Sequence, residues 1–156
     1  MEKKKSHMKA ESDINENKVN LILDLRKNGI DSPEILRVIE EIDRSYFVDS
    51  HLYDKSNLNT ALPIDCGQTI SQPLIVALMT QHLEVKNNMR VLEVGTGSGY
   101  QTLVLSKIAK FVYTVERYKT LHQKAKELLK IIKANNIFFR HGDGGHGWVE
   151  QAPFDR

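Results

Sequence analysis

Helical spacing of apolar residues dominates the first half of the chain. It predicts a helix over residues 19–27, ended by Asn28-Gly29. The apolar residues that we expect on its core face are Val19, Ile22 and Leu23. A second helix begins at Ser32-Pro33, since proline is well tolerated in a first turn. Its apolar stripe consists of Ile35, Leu36, Ile39 and Ile42.

A third helix is predicted to begin near Pro73. Its apolar face contains residues at helical spacing, Leu74, Ile75, Leu78, Met79 and His82. On that face we expect His82 to be half-buried in the core. Residues 51–66 show little periodicity and are predicted to form a loop.

From Arg90 onward, short β-rich runs alternate with helical segments. The predicted order is strand 90–94, glycine loop 95–99, helix 100–109, strand 111–115, helix 120–133, strand 137–140 and loop 141–147. Such alternation is typical of a parallel sheet with right-handed crossovers. We therefore predict an α/β fold with a doubly wound, mostly parallel sheet that the N-terminal helices cover.

Length and composition narrow the class of protein. The chain has 156 residues, the usual size of one domain, and its 22 Lys plus Arg against 20 Asp plus Glu give a net charge of only +2. So small a charge argues against a strongly electrostatic nucleic-acid-binding protein. No apolar run approaches the roughly 20 residues of a membrane span, and the single cysteine, Cys66, excludes an internal disulfide. We expect a reduced, cytoplasmic protein.

The polar N-terminus differs in composition from the remainder. We predict a flexible tail over residues 1–17 and one domain over residues 18–156. Within that domain, residues 18–88 form the helical part and residues 89–156 form the strand–helix part.

Glycines between the first strand and its helix form the most informative motif. Gly95-Thr96-Gly97-Ser98-Gly99 has the spacing G-x-G-x-G, and such a loop lets the backbone approach a ligand closely. A dinucleotide-binding loop would need glycine at position 100, where Tyr100 stands instead. Glu93 would repel a pyrophosphate but not a cationic amino-acid group, which favours S-adenosylmethionine over NAD. The alternative for the loop alone is a turn that serves only tight packing.

Each later strand also ends at a carboxylate. Glu116 ends the second strand, where folds of this type place an acceptor for ribose hydroxyls. Asp143 follows the third strand, where it could accept a hydrogen bond from an adenine amino group. Taken singly, Glu116 could form a solvated ion pair with Arg117, and Asp143 could stabilise a tight turn. Since the carboxyl ends of parallel strands meet at one edge, the acidic residues together favour a nucleoside-bearing ligand.

Three further sets of residues make the pattern more specific. The first set is ALPI (61–64) with GQTISQP (67–73), and the second is VLEVGTGSGYQ (91–101). The third set is GDG (142–144) with GW (147–148) and APFD (152–155). A shorter match is RSYFV (44–48). Together they resemble the protein-L-isoaspartate O-methyltransferase family over about residues 19–156. The second set is shared by many methyltransferases, so the family identification depends on residues 68–73.

The resemblance implies a Rossmann-like fold that binds S-adenosyl-L-methionine (SAM). It implies methylation of the carboxylate of L-isoaspartyl residues in damaged proteins or peptides, a repair reaction through a methyl ester and a succinimide. No nucleic acid and no membrane is implied as a partner, and a complete protein is expected to be a monomer. Two alternatives stay open: a SAM-dependent methyltransferase with a different acceptor, and an inactive SAM-binding fragment.

Candidate site residues also follow from the resemblance. Ser71 is the catalytic candidate, since its hydroxyl could hold the substrate carboxylate in line with the methyl group, and Ile64 would contact the substrate peptide. The implied cofactor-binding residues are Gln68, Thr69, Ile70, Glu93, Gly95, Thr96, Gly97, Ser98, Gly99, Glu116, Arg117, Asp143 and Gly144. The alternative for Ser71 is an ordinary helix N-cap, because Ser71-Gln72-Pro73 begins a helix.

The family's sheet also has more strands than this chain supplies. Phe154-Asp155-Arg156 would be only the beginning of a fourth strand beside the first, so we expect the C-terminal strands to be missing. Such a chain would leave the apolar edge of its first strand unpaired. We expect it to be marginally stable and weakly active or inactive.

Other reactive residues are assigned ordinary roles. His141 and His146 flank Asp143 at a spacing that fits no recognised site, so no metal is predicted. Cys66 is expected to be a small packing residue and Trp148 a packing anchor. The lysines between positions 119 and 133 are expected to form a solvated helix face.

Overall fold

The computed structural model describes residues 16–156. The predicted tail over residues 1–15 lies outside the described residues, whereas residues 16 and 17 already belong to the first helix. The α-helices of this part are α1 (16–27), α2 (Pro33–Glu41), α3 (Pro73–Leu83), α4 (Tyr100–Ser106) and α5 (Lys119–Ile131). Its strands are β1 (Leu62–Pro63), β2 (Thr69–Ile70), β3 (Arg90–Val94), β4 (Phe111–Glu116) and β5 (Ile137–His141).

The strands β3, β4 and β5 form the parallel sheet that the strand–helix alternation predicts. β4 lies in the middle, with Val112 in register with Val91 of β3 and Tyr113 in register with Phe138 of β5. Because the three strands run in one direction, their carboxyl ends lie along one edge of the sheet. That edge is where sheets of this class bind ligands.

The helix α2 follows the predicted pattern. Ile35, Leu36 and Ile39 are buried on its core face. The Ser32 side chain caps the helix, because its Oγ accepts a hydrogen bond from Ile35 N at 3.4 Å. Proline at the next position costs nothing, since its missing N–H would have no intrahelical partner there.

For α1, the predicted core face is correct only at Ile22, which is partly buried and packs against the core. Leu21 and Leu25 are buried, while Val19 is 56% exposed and Leu23 is 49% exposed. Apolar residues occupy both sides of this helix, so their spacing alone allows either side to face the core. Packing within the larger hydrophobic core decides between the two, and that information lies outside the segment.

For α3, the buried face also differs from the prediction. Leu74 and Leu78 are partly buried against the core, as predicted. The fully buried residues, however, include Val76, Ala77 and Thr80, whereas Ile75, Met79 and His82 are exposed. A buried threonine is tolerated because its hydroxyl donates to Val76 O at 2.8 Å and accepts from Gln101 Nε2 at 2.9 Å. Because a hydropathy pattern counts Thr80 as polar, the prediction centred the core face of α3 away from this residue. The same error placed His82 half-buried in the core, although its side chain is exposed.

Residues 51–66 are more structured than the predicted loop. A 3₁₀ helix spans Ser50–Lys55, and β1 pairs antiparallel with β2 as a short hairpin around the turn Asp65–Gly67. Cys66 lies exposed in that turn with φ of +58°. Its prediction as a packing residue is therefore wrong.

Two hydrophobic clusters form the core: the larger one connects the helical first half to β5 of the sheet, whereas Val91 and Val112 of the sheet belong to the smaller one. The fully buried members of the larger cluster come from all five helices and include Leu25, Ile39, Val76, Val104 and Leu129. No helix in the described part of the chain is both long enough and apolar enough to cross a membrane.

The opposite face of the sheet carries an aromatic group centred on Tyr113. Its ring stacks on Phe138 at 4.8 Å and meets the edges of Trp148 at 5.7 Å and Phe154 at 5.3 Å. The Arg90 guanidinium lies 5.0 Å from the centroid of the Tyr113 ring. Trp148 is thus a packing anchor for the segment that follows β5, as predicted.

The end of that segment lies beside β3. Asp155 N donates to Arg90 O at 2.8 Å, and Leu92 N donates to Arg156 O at 3.0 Å. The expectation that the edge of β3 is unpaired is therefore wrong at these two residues.

Candidate functional site

The glycine loop joins β3 to α4. Gly95, Gly97 and Gly99 have φ of +93°, +56° and +90°, values that residues with a side chain rarely adopt. A Cβ on Gly99 would lie 3.0 Å from Leu129 Cδ1, so this glycine lets α4 and α5 pack closely. A Cβ on Gly95 would meet nothing within 4 Å, so this part of the loop is open to a ligand. The packing alternative therefore accounts for Gly99 but not for Gly95.

Glu116, at the end of β4, holds the glycine loop to the sheet. It is 4% exposed, its Oε2 accepts from Gly97 N at 2.9 Å, and its Oε1 accepts from Tyr118 N at 2.8 Å. The alternative of a solvated ion pair is wrong, since the Arg117 guanidinium lies 4.7 Å from the Tyr118 ring centroid instead. Each carboxylate oxygen keeps a second acceptor position, and the predicted bonds to ribose hydroxyls would use these positions.

Glu93 lies beneath the loop among threonines. Its Oε2 accepts from Thr102 Oγ1 at 2.5 Å and from Thr114 Oγ1 at 2.6 Å. Because Thr114 gives its one hydroxyl proton to Glu93, Thr96 is the donor in the 2.6 Å bond between Thr96 and Thr114. Burial raises the pKa of the Glu93 carboxyl to about 7, against the opposing effect of the threonine bonds. Thr102 and Thr114 were not predicted as site residues. In the sequence, they differ from their neighbours only in being polar residues within an apolar helix and an apolar strand.

Two buried oxygens near the loop have no hydrogen-bond partner within the described residues. They are Oε1 of Glu93 and Oε1 of Gln101. Both side chains line a cavity of about 600 Å³ between α3 and β3, which Ser71 and Gly95 also line. Unpartnered buried acceptors are costly, so each of these oxygens would gain stability from a group that donates a hydrogen bond to it.

Glu93→Gln is expected to weaken the dependence of stability on pH. The carboxyl has a pKa of 4.5 when unfolded and about 7 when folded, so the folded protein binds more protons between these values. Its contribution to stability is complete below about pH 4.5 and is lost as the pH rises through about 7. The loss reaches about 3 kcal/mol, at about 1.4 kcal/mol per pKa unit.

Urea unfolding at pH 5 and pH 8 measures this effect. The wild type should lose more stability between the two pH values than Glu93→Gln does. Glu40→Gln, on the exposed face of α2, is the matched control and should behave like the wild type. The same pH dependence in all three proteins would show that Glu93 titrates as an ordinary carboxyl.

Asp143 and Gly144 shape the turn after β5. Asp143 Oδ1 accepts from Gly145 N at 2.8 Å, so the turn-stabilising interpretation is confirmed. A Cβ on Gly144 would overlap Val94 Cγ1, which shows that this turn packs directly on the end of β3. The Asp143 carboxylate is exposed, and its bond to an adenine amino group stays a prediction.

The hairpin of β1 and β2 lies across the glycine loop. Ile64 N donates to Gln68 O at 2.9 Å, and Ile64 Cδ1 lies 3.7 Å from the position of a Cβ on Gly97. A cavity of about 70 Å³ between hairpin and loop is lined by predicted site residues, Thr69, Ile70, Ser71, Gly95, Thr96, Gly97 and Ser98. The Gln68 side chain lies apart from them, since its Nε2 donates to Cys66 O at 3.2 Å.

Ser71 lies between β2 and α3. Its alternative role as the helix N-cap is wrong: the cap residue is Gln72, which makes no side-chain cap bond. Asn59 supplies a capping bond instead, because its Oδ1 accepts from Leu74 N at 3.0 Å. Ser71 is half-buried and lines both cavities, and its carbonyl accepts from Arg44 Nη2 at 3.1 Å.

Outside this site, the described part of the chain offers little metal chemistry. Within residues 16–156, no group of three or more His, Cys, Asp and Glu side chains could hold a metal ion. The lysines of α5 are exposed, as the prediction of a solvated face requires. One of them, Lys124, lies with its Nζ 2.5 Å from Asp65 Oδ2 and so joins the hairpin tip to α5.

Comparisons with known proteins agree on one family. The family model for protein-L-isoaspartate(D-aspartate) O-methyltransferase (PCMT) matches residues 15–156. The protein-L-isoaspartate O-methyltransferase of Caulobacter vibrioides is 52% identical over 132 residues, which cover 85% of this chain and 60% of that protein. The enzyme of the same name from Rhodospirillum rubrum is 49% identical over 140 residues, which cover 89% of this chain and 64% of that protein. The chain therefore spans less than two thirds of the length of these relatives.

Solved structures show the same relationship. A protein-L-isoaspartate O-methyltransferase superposes with a TM-score of 0.80 at 30% identity, over 88% of this chain and 46% of its own. A Plasmodium falciparum structure described by the same name, in complex with S-adenosyl-L-homocysteine, gives a TM-score of 0.66 at 27% identity. The match covers 79% of this chain and 62% of that one. The predicted Rossmann-like methyltransferase fold is confirmed. The chain belongs to the protein-L-isoaspartate(D-aspartate) O-methyltransferase family.

Proposed function

We propose that the protein transfers a methyl group from SAM to the carboxylate of L-isoaspartyl residues in damaged proteins. The single observation that carries this proposal is the position of Thr69–Ser71, which line one cavity with the glycine loop. That segment belongs to the part of the sequence that distinguishes this family from other methyltransferases. We place the activity in the cytoplasm, with damaged proteins as the partners.

The residues around the loop suit the proposed cofactor. Gly95 is open to a ligand, and Oε1 of Glu93 and Oε1 of Gln101 are buried acceptors without a partner in the described chain. The cofactor's amino group is a cationic donor of the kind that such acceptors can bind. Glu116 and Asp143, at the ends of the next strands, would hold the ribose and the adenine.

The reaction demands little acid–base chemistry. A substrate carboxylate is already ionised at neutral pH, so no strong general base is needed. When bound, SAM supplies a methyl group that its sulfonium centre activates. The protein then has to hold the carboxylate in line and keep water away. The Ser71 hydroxyl, which no helix-capping bond engages, would donate a hydrogen bond to that carboxylate.

The proposal is tested with tritiated SAM and a pair of peptides that differ only in an L-isoaspartyl or an L-aspartyl residue. We expect methyl transfer to the isoaspartyl peptide well above transfer to its control. Calorimetric binding of S-adenosyl-L-homocysteine provides a separate measurement of the cofactor site. Binding without selective transfer would reject the isoaspartyl acceptor and leave the two alternatives, another acceptor or an inactive fragment. Absence of binding would reject the cofactor assignment itself.

A further inference from the structure

Arg44 is a buried cation without an ionic partner. It begins the 3₁₀ helix Arg44–Phe47 and is only 2% exposed. Within residues 16–156, no salt bridge joins it to a carboxylate. Burial lowers the pKa of its guanidinium. Burying a charge lowers the stability of the fold unless hydrogen bonds compensate for the lost hydration. The hydrogen bonds of Arg44 therefore indicate which part of the structure this buried charge serves.

Within the described residues, both terminal nitrogens of the guanidinium donate to backbone carbonyls, whereas its buried Nε has no partner. Its Nη1 donates to Ser56 O at 2.8 Å and approaches Leu58 O at 3.5 Å. Its Nη2 donates to Thr60 O at 2.9 Å and to Ser71 O at 3.1 Å. The planar guanidinium directs these donors at fixed angles. One side chain therefore fixes residues 56–60 and Ser71 relative to each other.

The segment that holds Ser71 has few other restraints. The strand β2 ends at Ile70 and α3 begins at Pro73, so only Ser71 and Gln72 connect them. Within the described residues, Arg44 makes the one side-chain hydrogen bond to this two-residue connection. The guanidinium also lies 5.7 Å from the ring centroid of Tyr100, the first residue of α4 after the glycine loop. Arg44 thus lies between the connection and the start of that helix.

We propose that Arg44 is a positioning residue, which fixes the backbone of Ser71 and thereby directs its hydroxyl toward the substrate carboxylate. This inference rests on the proposed function. Arg44 lines neither of the two cavities that Ser71 lines. Its effect on the reaction passes through Ser71, and that dependence can be measured.

The central experiment is a double-mutant cycle on the full chain with Arg44→Lys and Ser71→Ala. Lysine keeps the positive charge but lacks the planar fork, so it cannot hold several carbonyls at the same angles. We expect Arg44→Lys to lower kcat on the order of tenfold to a hundredfold, because a misplacement of about 1 Å can cost about 10²-fold. The Kd for S-adenosyl-L-homocysteine should stay within about twofold of the wild type.

The cycle distinguishes positioning from a general structural role. If Arg44 acts through Ser71, Arg44→Lys causes no further loss of kcat in the Ser71→Ala background. Independent effects that multiply would overturn the proposal. Arg37→Lys is the matched control, since Arg37 is exposed on α2 and bonds only to Glu41; it should change neither kcat nor binding.

Hydrogen exchange provides a readout that needs no methyl transfer. We expect Arg44→Lys to accelerate amide exchange of Ile70, Ile75 and Val76 about tenfold or more, with exchange in α5 unchanged, because Ile70 pairs with Leu62 and the other two amides donate to Gln72 O. Unchanged exchange at these three residues would overturn the proposal even if the wild type proves inactive. A wild type that transfers no methyl group, together with accelerated exchange in the variant, would instead reject the proposed function alone.

A measurement on the unmodified protein covers the case in which Arg44→Lys does not fold. Bonds to fixed carbonyls hinder rotation of the guanidinium, so its Nη1 and Nη2 should give separate nitrogen resonances. One averaged resonance would show a rotating group and would overturn the proposal.

Discussion

Gly99→Ala is expected to lower the free energy of unfolding by about 2–5 kcal/mol. Gly99 has φ of +90°, and left-handed backbone costs a residue with a side chain about 1–2 kcal/mol. The new methyl group would also lie 3.0 Å from Leu129 Cδ1 and 3.3 Å from Ala125 Cβ. Such overpacking typically costs about 1–3 kcal/mol. Urea denaturation of both proteins under the same buffer conditions measures the difference.

Gly95→Ala separates the two causes. Gly95 has a similar φ of +93°, but its Cβ would meet nothing within 4 Å. The loss of stability should therefore be limited to the backbone cost of about 1–2 kcal/mol. An equal loss in both variants would mean that close packing of α4 on α5 is not what requires glycine at position 99.

Ser71→Ala is expected to lower kcat about 10²-fold while leaving the fold intact. The hydroxyl is proposed to orient the substrate carboxylate, and loss of orientation alone can cost that much. Stability should change by less than about 0.5 kcal/mol, because the capping bond to α3 comes from Asn59. Steady-state kinetics with an isoaspartyl peptide, together with the Kd of S-adenosyl-L-homocysteine, provide the measurement.

Two controls belong with the Ser71 variant. Ser50→Ala removes an exposed hydroxyl from a 3₁₀ helix and should affect neither activity nor stability. Asn59→Ala removes the capping bond and also the bond that its Nδ2 donates to Asp24 Oδ2, so it should cost more than the roughly 1 kcal/mol of a cap alone. A Ser71→Ala protein with full kcat would remove Ser71 from the reaction, and one destabilised like Asn59→Ala would restore its capping role.

The arrangement of the sheet could be predicted because it depends on local patterns. Strand–helix alternation determines a parallel sheet, and a parallel sheet brings Gly95, Glu116 and Asp143 to one edge. The family motif in residues 68–73 adds Ser71 to the candidate site, and its role in the reaction stays a prediction. For these features, each inference requires only residues that are near one another in sequence.

Features that depend on distant partners could not be predicted. Thr80 faces the core because Gln101 bonds to its hydroxyl, and Glu93 is buried because Thr102 and Thr114 donate to it. Arg44 shows the same limit, since nothing in its own segment indicates that it bonds to Ser71. Periodicity reports whether a face is apolar, but these side chains are buried by specific hydrogen bonds.

The aromatic group around Tyr113 contains an intrinsic fluorescence probe of unfolding. Trp148 is the single tryptophan of the sequence, and its ring packs on Tyr113 at 5.7 Å with the Arg140 guanidinium 5.8 Å from it. Its fluorescence therefore follows the segment after β5 as it leaves the sheet, while circular dichroism in the far ultraviolet follows the helices. Transitions that coincide would show one cooperative unit, and an earlier change in fluorescence would show that this segment detaches first.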